Sequence, residues 1–223
     1  MSLLPDAVLF DMDGTLVDSE QLYRKVWQET AREQGIELNR DTHRQACVGF
    51  DRTQGLEQII RLTKTAFDRN RFYADLIKHE LRLGQQPTPL RHGALGLLDW
   101  LASRNVTIAL VTSSSRAGVE RHFHKHGGVE RFTVAVSADD VCFLKPNPEP
   151  YQKACELLGL DPGRTVAVED SVPGAESALS AGCRTLMVPD HAPPAHIQEQ
   201  VWAVCDSLVE VQHILCKGLS SPP

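Results

Sequence analysis

The chain has 223 residues, of which 42% are hydrophobic and 23% are charged, with a formal net charge of −6 and a pI near 5.8. This composition suits one large domain, or a core domain with an insertion. The negative balance argues against nucleic acid or an anionic membrane as the main partner. No apolar run approaches the roughly 20 residues that a membrane-spanning helix needs. No basic stretch followed by a long apolar run opens the chain, so no secretory signal is visible.

The cysteines are scattered among apolar neighbours, and none forms a Cys-x-x-Cys pair. We interpret them as buried free thiols, which indicates a reducing, cytoplasmic environment. They are Cys47, Cys142, Cys155, Cys183, Cys205 and Cys216.

A short apolar run, Val8-Leu9-Phe10, ends in two aspartates one residue apart, Asp11 and Asp13, followed by Gly14. A run of this length bounded by a turn indicates a buried strand. Side chains alternate along a strand, so both aspartates should point the same way from its carboxyl end. Two close carboxylates are costly unless a cation lies between them, and Mg2+ prefers carboxylate oxygens with water and phosphate. A calcium loop would need a glutamate at its twelfth position, where this chain has Leu22.

Residues from about 17 to 88 have the apolar spacing of helices rather than of strands. The stretch 84–89, with glycine and two prolines, predicts a linker at the end of this block. The predicted helices run from Ser19 or Asp18 to about Gln34 before Gly35, then near 53–64 and 69–83.

From residue 93 onward, strand-like runs alternate with helical patterns. Such alternation implies an α/β fold, a Rossmann-like three-layer core with a parallel sheet and helices on both faces. The strand before Asp11 must join this sheet, so the helical block is an insertion after the first strand. The later strands are predicted at 106–112, 132–137, 165–169 and 184–189, and the helices at 94–104, 116–126, 149–158, 172–181 and 207–217.

Further strand ends and loops carry groups that suit phosphate chemistry. The segment Thr112-Ser113-Ser114-Ser115 offers hydroxyls and backbone N–H groups at the start of a helix, although taken alone a simple serine cap is favoured. Lys145 lies in a proline-rich segment that fixes one cation in place. Glu169 and Asp170 form a second acidic pair, and Ser171 can cap the helix that follows.

Together these residues resemble the four motifs of the haloacid dehalogenase superfamily, in the right order and at plausible spacing. The motifs are Asp11-Met-Asp13-Gly-Thr, Thr112, Lys145-Pro and Glu169-Asp170-Ser. The resemblance spans essentially the whole chain and is greatest to the branch of β-phosphoglucomutase and small sugar-phosphate phosphatases. It implies a catalytic core at 1–16 and 89–223, and an inserted helical cap domain at 17–88.

The resemblance also implies a role for each matching residue in the Mg2+-dependent hydrolysis of a small phosphate monoester. Asp11 would be the nucleophile that forms an aspartyl-phosphate, and Asp13 would protonate the leaving oxygen and then activate water. Thr112 would bind a phosphoryl oxygen, and Lys145 would neutralise negative charge. Mg2+ would be bound by Asp11, Asp170, the backbone carbonyl of Asp13, and Glu169 directly or through water. The candidate substrate-binding residues are Gly14, Ser113 and Ser114, with Tyr23 and Arg52 of the cap.

A phosphomutase is the main alternative. Tyr23 occupies the place of the mutase's cap histidine and Val48 that of a cap lysine, so both depart from the mutase. Arg52 matches the cap arginine that grips a second phosphate, although a solvated arginine at a helix start explains it equally. Dehalogenases lack the acid found here at Asp13, and a phosphonatase would need a cap lysine in a context that we do not recognise. A non-catalytic binding module on this fold is a further alternative.

His122 and His126 have the i, i+4 spacing of zinc ligands on a helix. No cysteine or acidic pair nearby completes a recognised motif, so a solvated surface cluster is favoured. The expected partner is a small phosphate ester. The sequence does not identify the substrate, and it leaves the oligomeric state open, with a monomer favoured.

Overall fold

The structure is a computed structural model that describes residues 4–47, 52–83, 88–123 and 128–218; the side chains at 20, 44 and 52–54 are outside this description. The chain forms two compact units. The core unit comprises Met1–Asp18 and Pro89–Pro223, and the helical unit comprises Ser19–Thr88.

The core unit is built on a parallel sheet, as the alternation of strands and helices predicts. Its described strands are β1 Ala7–Phe10, β2 Thr107–Val111, β3 Val134–Val136, β4 Thr165–Glu169, β5 Arg184–Met187 and β6 Ala203–Val204. The strand order is β3-β2-β1-β4-β5-β6, and every neighbouring pair is parallel. β1 thus joins the later strands in one sheet, as predicted, and lies between β2 and β4.

The helical unit contains α-helices in its described residues, and one of them was not predicted. The helices are α1 Ser19–Glu33, α2 Arg40–Cys47, α3 Arg52–Thr63 and α4 Arg69–Leu83. Gly35 has a φ of +72°, a left-handed conformation that suits glycine just after the end of α1. α2 was not predicted because its sequence is mostly polar and lacks helical apolar spacing. In the structure it nevertheless buries His43 and Ala46. Apolar side chains of α1, α3 and α4 complete the core of this unit.

Helices cover both faces of the sheet. They are α5 Ala94–Ser103, α6 Arg116–Phe123, α7 Glu149–Leu158, α8 Val172–Ser180, α9 Ala195–Gln198 and α10 Leu208–Lys217. Val8 and Phe10 pack in one cluster with α5, α6 and α10, whereas Leu9 packs in another with α7 and α8. The alternation along β1 therefore produces the predicted three layers. None of the helices described is long and apolar enough to cross a bilayer.

The core unit joins residues 19–88 through two neighbouring segments, which we call the junction ribbon. Residues 16–18 and 89–91 form this ribbon, in which an antiparallel bridge links the two segments. The N–H of Asp18 donates to the carbonyl of Pro89 over 2.9 Å. The chain therefore leaves and re-enters the core unit at one place.

The cysteines are all free, but only part of the burial prediction is confirmed. Cys155, Cys183 and Cys205 are buried, and Cys47 is half-buried. The prediction is wrong for Cys142 and Cys216, which are exposed. Apolar neighbours did not indicate burial at Cys142 because they lie in a surface turn, where Phe143 is itself 64% exposed.

Candidate active site

Three candidate residues lie at the carboxyl ends of adjacent strands. Asp11 follows β1, Thr112 follows β2, and Glu169 is the last residue of β4. Because these strands are parallel and paired in register, their ends meet at one edge of the sheet. In an open α/β sheet this edge is where ligands bind.

Lys145 lies at the centre of the cluster, held by three acceptors. Its Nζ atom is 2.6 Å from Oδ1 of Asp11, 2.6 Å from Oε1 of Glu169 and 2.8 Å from the carbonyl oxygen of Val111. A protonated lysine has three N–H donors, so these contacts use all of them. The ammonium also lies 5.2 Å from the ring centroid of Tyr151, a cation–π distance. Lys145 is therefore fixed as the counter-ion of two buried carboxylates.

Tyr151 contributes to the site although its sequence context does not single it out. Its hydroxyl donates to Oε1 of Glu169 over 2.7 Å, and both residues are fully buried. Glu149, which lies between Lys145 and Tyr151 in the sequence, holds the loop before α7, because its carboxylate accepts hydrogen bonds from the N–H groups of Cys142 and Phe143. The signal in the sequence is a polar-tipped aromatic on the apolar face of α7, shortly after Lys145.

The second oxygen of Glu169 is held by the start of α8. Ser171 donates to Oε2 of Glu169 over 3.3 Å and accepts from the N–H of Gly174 over 3.1 Å, which confirms its predicted role as a helix cap. A side chain at position 174 would collide with this carboxylate, since a Cβ there would lie 2.0 Å from Oε2. Both oxygens of Glu169 are thus engaged by the protein.

Burial and neighbouring negative charge raise the pKa of both Asp11 and Asp170. Burial raises the pKa of Asp11 well above its ordinary value; Glu169 and Asp170 add to this rise, and Lys145 opposes it. Burial also raises the pKa of Asp170 to about 7, with the charge of Glu169 contributing. Burial alone would lower the pKa of Lys145, but the charges of Asp11 and Glu169 outweigh it and raise that pKa. A single ammonium therefore does not compensate the charge that the carboxylates of this cluster would carry if all were ionised.

The carboxylates of Asp11, Glu169 and Asp170 could hold a metal ion, because each offers an oxygen within 4.8 Å of the others. Oδ2 of Asp11 is buried and has no hydrogen-bond partner among the described residues. A buried, unpaired carboxylate oxygen next to further carboxylates suits a hard cation such as Mg2+. The carboxylate of Asp13 is not part of this group, and its predicted contact with a metal through the backbone carbonyl stays a prediction.

Gly14 and Thr15 hold Asp170 in this cluster. Thr15 donates to Oδ1 of Asp170 over 3.2 Å. Gly14 has a φ of +83°, and a Cβ at this position would lie 2.1 Å from Oδ2 of Asp170. Gly14, a predicted substrate-binding residue, thus makes room for a candidate metal ligand.

Asp13 contacts the turn after β2. Its Oδ2 atom accepts a hydrogen bond from the hydroxyl of Ser114 over 2.6 Å. The N–H of Ser114 donates to Oγ1 of Thr112 over 3.0 Å, which fixes the turn. In this structure the Ser114 hydroxyl contacts the candidate acid, and its predicted role in substrate binding stays a prediction.

The remaining predicted residues are placed only in part. Ser113 is exposed, and the neighbouring Ser115 accepts from the N–H of Gly118 over 3.3 Å, so a serine does cap α6. Tyr23 lies on α1 of the helical unit and is 44% exposed. Arg52 begins α3, but its side chain lies outside the described residues, as do Val48 and His126. Their roles stay predictions.

Comparison with known proteins agrees with this arrangement. The model of the family described as haloacid dehalogenase-like hydrolase matches residues 8–188. The phosphorylated carbohydrates phosphatase of Thermotoga maritima is 29% identical over 177 residues, which are 79% of this chain and 82% of that protein. Hexitol phosphatase A of Escherichia coli K12 is 33% identical over 186 residues, 81% of each chain.

A solved structure shares the fold over nearly the whole chain. The crystal structure of a HAD-family hydrolase from Deinococcus radiodurans R1, with bound phosphate and sodium, has 26% sequence identity and a TM-score of 0.83. The match covers 95% of this chain and 95% of that one. With the family match, which extends over more than half of the sequence, this shows that the chain belongs to the haloacid dehalogenase-like hydrolase family.

Proposed function

We propose that this hydrolase is a Mg2+-dependent phosphatase that acts on a small phosphate monoester, a sugar or polyol phosphate, through an aspartyl-phosphate on Asp11. The observation that carries the proposal is the contact of Lys145 with both Asp11 and Glu169, beside the carboxylate of Asp170. The relatives named for phosphorylated carbohydrates and hexitols support the substrate class. The assignment of residues 17–88 as a cap domain is part of this proposal.

The first step needs an ionised nucleophile. Burial opposes ionisation of Asp11, and Lys145 supplies a compensating positive charge at 2.6 Å. Asp11 and Asp170 would hold Mg2+, with the charge of Glu169 nearby. The positive charge of the ion would stabilise the negative charge on the phosphoryl oxygens. A carboxylate oxygen of Asp11 bonds to phosphorus while the ester O–P bond breaks, which divides a slow hydrolysis into two easier steps.

Asp13 would serve both steps as the proton carrier. It gives a proton to the leaving ester oxygen, and in the second step it takes a proton from the water that attacks phosphorus. The bond between Asp11 and phosphorus then breaks and inorganic phosphate leaves. The hydroxyl of Ser114 occupies Oδ2 of Asp13, so the other carboxylate oxygen is the one that would carry the proton.

Thr112 is suited to hold a phosphoryl oxygen. Its Oγ1 atom accepts from the N–H of Ser114, which orients the hydroxyl so that its hydrogen is available to a ligand. The side chain is 2% exposed, so such a hydrogen bond would form where competition from water is weak.

The test is phosphate release from a series of sugar, polyol and aryl phosphates. Chelation with EDTA should abolish turnover, added Mg2+ should restore it, and Asp11→Asn should be inactive, whereas Asp99→Asn at an exposed position should not. Fragment-ion mass spectrometry of acid-quenched enzyme should assign the phosphoryl group to Asp11 rather than to Asp13 of the same peptide. Full activity without metal, or a phosphoryl group on Asp13, would contradict the proposal. Transfer to a second sugar hydroxyl faster than to water would favour the phosphomutase.

A further inference from the structure

Arg91, at the end of the junction ribbon, holds two separate strand ends together. Its guanidinium donates to the carbonyl of Gly14, and it also reaches the carbonyl of Val188 at 3.4 Å and Oδ1 of Asp190 at 2.9 Å. Its backbone N–H donates to the carbonyl of Leu16 over 2.9 Å. One residue thus fixes the turn after β1 against the segment after β5.

The turn that Arg91 holds connects two candidate active-site carboxylates. Gly14, which follows Asp13 directly, touches Asp170 so closely that it has no room for a Cβ. Thr15, the next residue, donates to Oδ1 of Asp170. The peptide between Gly14 and Thr15 therefore determines where Asp170 lies relative to Asp13, and Arg91 holds the carbonyl of that peptide.

The chemistry of arginine suits this task better than that of lysine. The planar guanidinium has five N–H donors in a fixed fork, so it can bind a carbonyl and a carboxylate at the same time. Asp190 pairs with the charge of Arg91, and the Arg91 side chain is only 20% exposed. We therefore expect Arg91 to act through the position of the turn rather than through its charge.

We infer that Arg91 is a positioning residue for phosphoryl transfer, which sets Asp13 relative to Asp170 by holding the Gly14 carbonyl. The inference rests on the proposed function. Loss of this hold should impair proton donation to the leaving oxygen, which depends on the placement of Asp13. It should also weaken Mg2+ binding, which depends on the placement of Asp170. Substrate binding should change little.

The experiment compares Arg91→Met, Arg91→Lys and Asp190→Asn with wild type. Arg131→Met is the matched control, because Arg131 pairs with exposed Asp99 elsewhere on the core unit. For Arg91→Met we expect kcat on an alkyl phosphate to fall by about 10- to 100-fold with KM nearly unchanged. The fall should be smaller on p-nitrophenyl phosphate, whose leaving group needs little acid help. Calorimetric titration with Mg2+ should show affinity reduced about tenfold, and Arg131→Met should match wild type throughout.

Equal losses on both substrates, or an unchanged Mg2+ affinity, would overturn the inference. If circular dichroism shows Arg91→Met to be unfolded, Arg91→Lys and Asp190→Asn test the inference instead. The two criteria are the same: the loss of kcat on each of the two substrates and the affinity for Mg2+. A wild-type protein that releases no phosphate would contradict the proposed function. The Mg2+ titrations need no turnover and still decide the role of Arg91, since unchanged affinity in the variants would refute it.

Discussion

Ser114 donates its hydroxyl hydrogen to Oδ2 of Asp13 across 2.6 Å, although the two residues are 101 positions apart in the sequence. The contact joins the turn after β2 to the turn after β1. It restricts rotation of the Asp13 side chain and occupies one of its two oxygens. A general acid that is held in this way loses less freedom when the leaving oxygen arrives.

Ser114→Ala should therefore lower kcat rather than raise KM. We expect a decrease of about tenfold on an alkyl phosphate and a smaller one on p-nitrophenyl phosphate, because only the first leaving group depends strongly on the acid. Ser103→Ala, at an exposed position at the end of α5, is the matched control. An increase in KM with kcat unchanged would show that Ser114 binds substrate, as the sequence alone predicts.

Tyr151→Phe tests the support of Glu169 and Lys145. The change keeps the ring beneath the ammonium and removes only the hydroxyl that donates to Glu169. Loss of a buried hydrogen bond to a charged group should lower the free energy of unfolding by about 1–3 kcal/mol. Urea denaturation measures this decrease, and steady-state kinetics should show a reduced kcat. Unchanged stability and unchanged kcat together would refute a supporting role for Tyr151.

Mg2+ should stabilise the protein through Asp170. The free energy of unfolding should rise by about 2.7 kcal/mol when free Mg2+ is about 100 times its Kd. Asp170→Asn removes one of three crowded carboxylates, so it should stabilise the metal-free protein and reduce the response to Mg2+. Thermal unfolding in EDTA and in Mg2+ measures both effects, with exposed Asp206→Asn as the control. An undiminished Mg2+ response in Asp170→Asn would exclude this residue as a ligand.

His43 should make the stability of the protein depend on pH. Burial and the charge of Arg24 lower its pKa from 6.5 to about 4, and its Nε2 atom has no partner in the described part of the chain. Between these values the unfolded chain binds a proton that the folded chain does not. Stability is therefore lost as pH falls from about 6.5 towards 4, with a slope of at most about 1.4 kcal/mol per pH unit.

Removing the imidazole should flatten this dependence. Urea unfolding of His43→Leu at pH 7, 6 and 5 should show a smaller loss of stability than wild type, whereas His196→Gln at an exposed site should follow wild type. If the free energy of unfolding of wild type and of His43→Leu changed equally with pH, the prediction would be contradicted. The difference between the variants isolates His43 from the acidic groups that also titrate in this range.

The placement of Asp11, Thr112 and Glu169 could be predicted because each stands at the end of an apolar run. Strands that alternate with helices become parallel, and their carboxyl ends then meet at one edge. A local pattern was therefore sufficient to place the candidate chemistry. β1 lies between β2 and β4, so the strand ends that carry these three residues are neighbours.

Arg91, Tyr151 and α2 could not be predicted in the same way. The role of Arg91 depends on its contacts with Gly14 and Asp190, which are distant in the sequence. No pattern of neighbouring residues therefore indicates this role. Tyr151 has the spacing of an ordinary core residue, and only the buried Glu169 gives its hydroxyl a function. α2 is short and polar, and its helical form depends on packing within the helical unit rather than on its own apolar spacing.

The junction ribbon has a consequence for chain entropy. The N–H of Asp18 and the carbonyl oxygen of Pro89 are 2.9 Å apart, so the two ends of the segment 19–88 lie side by side. With respect to the core unit, this segment is therefore equivalent to a long loop whose ends are held together. The entropy of closing a loop grows with the logarithm of its length, so doubling the insertion costs only about 0.6 kcal/mol. Segments of very different size could therefore occupy this position while the strands that carry Asp11 and Glu169 stay intact. Mutation can thus reshape the insertion at little cost to the folding of the sheet.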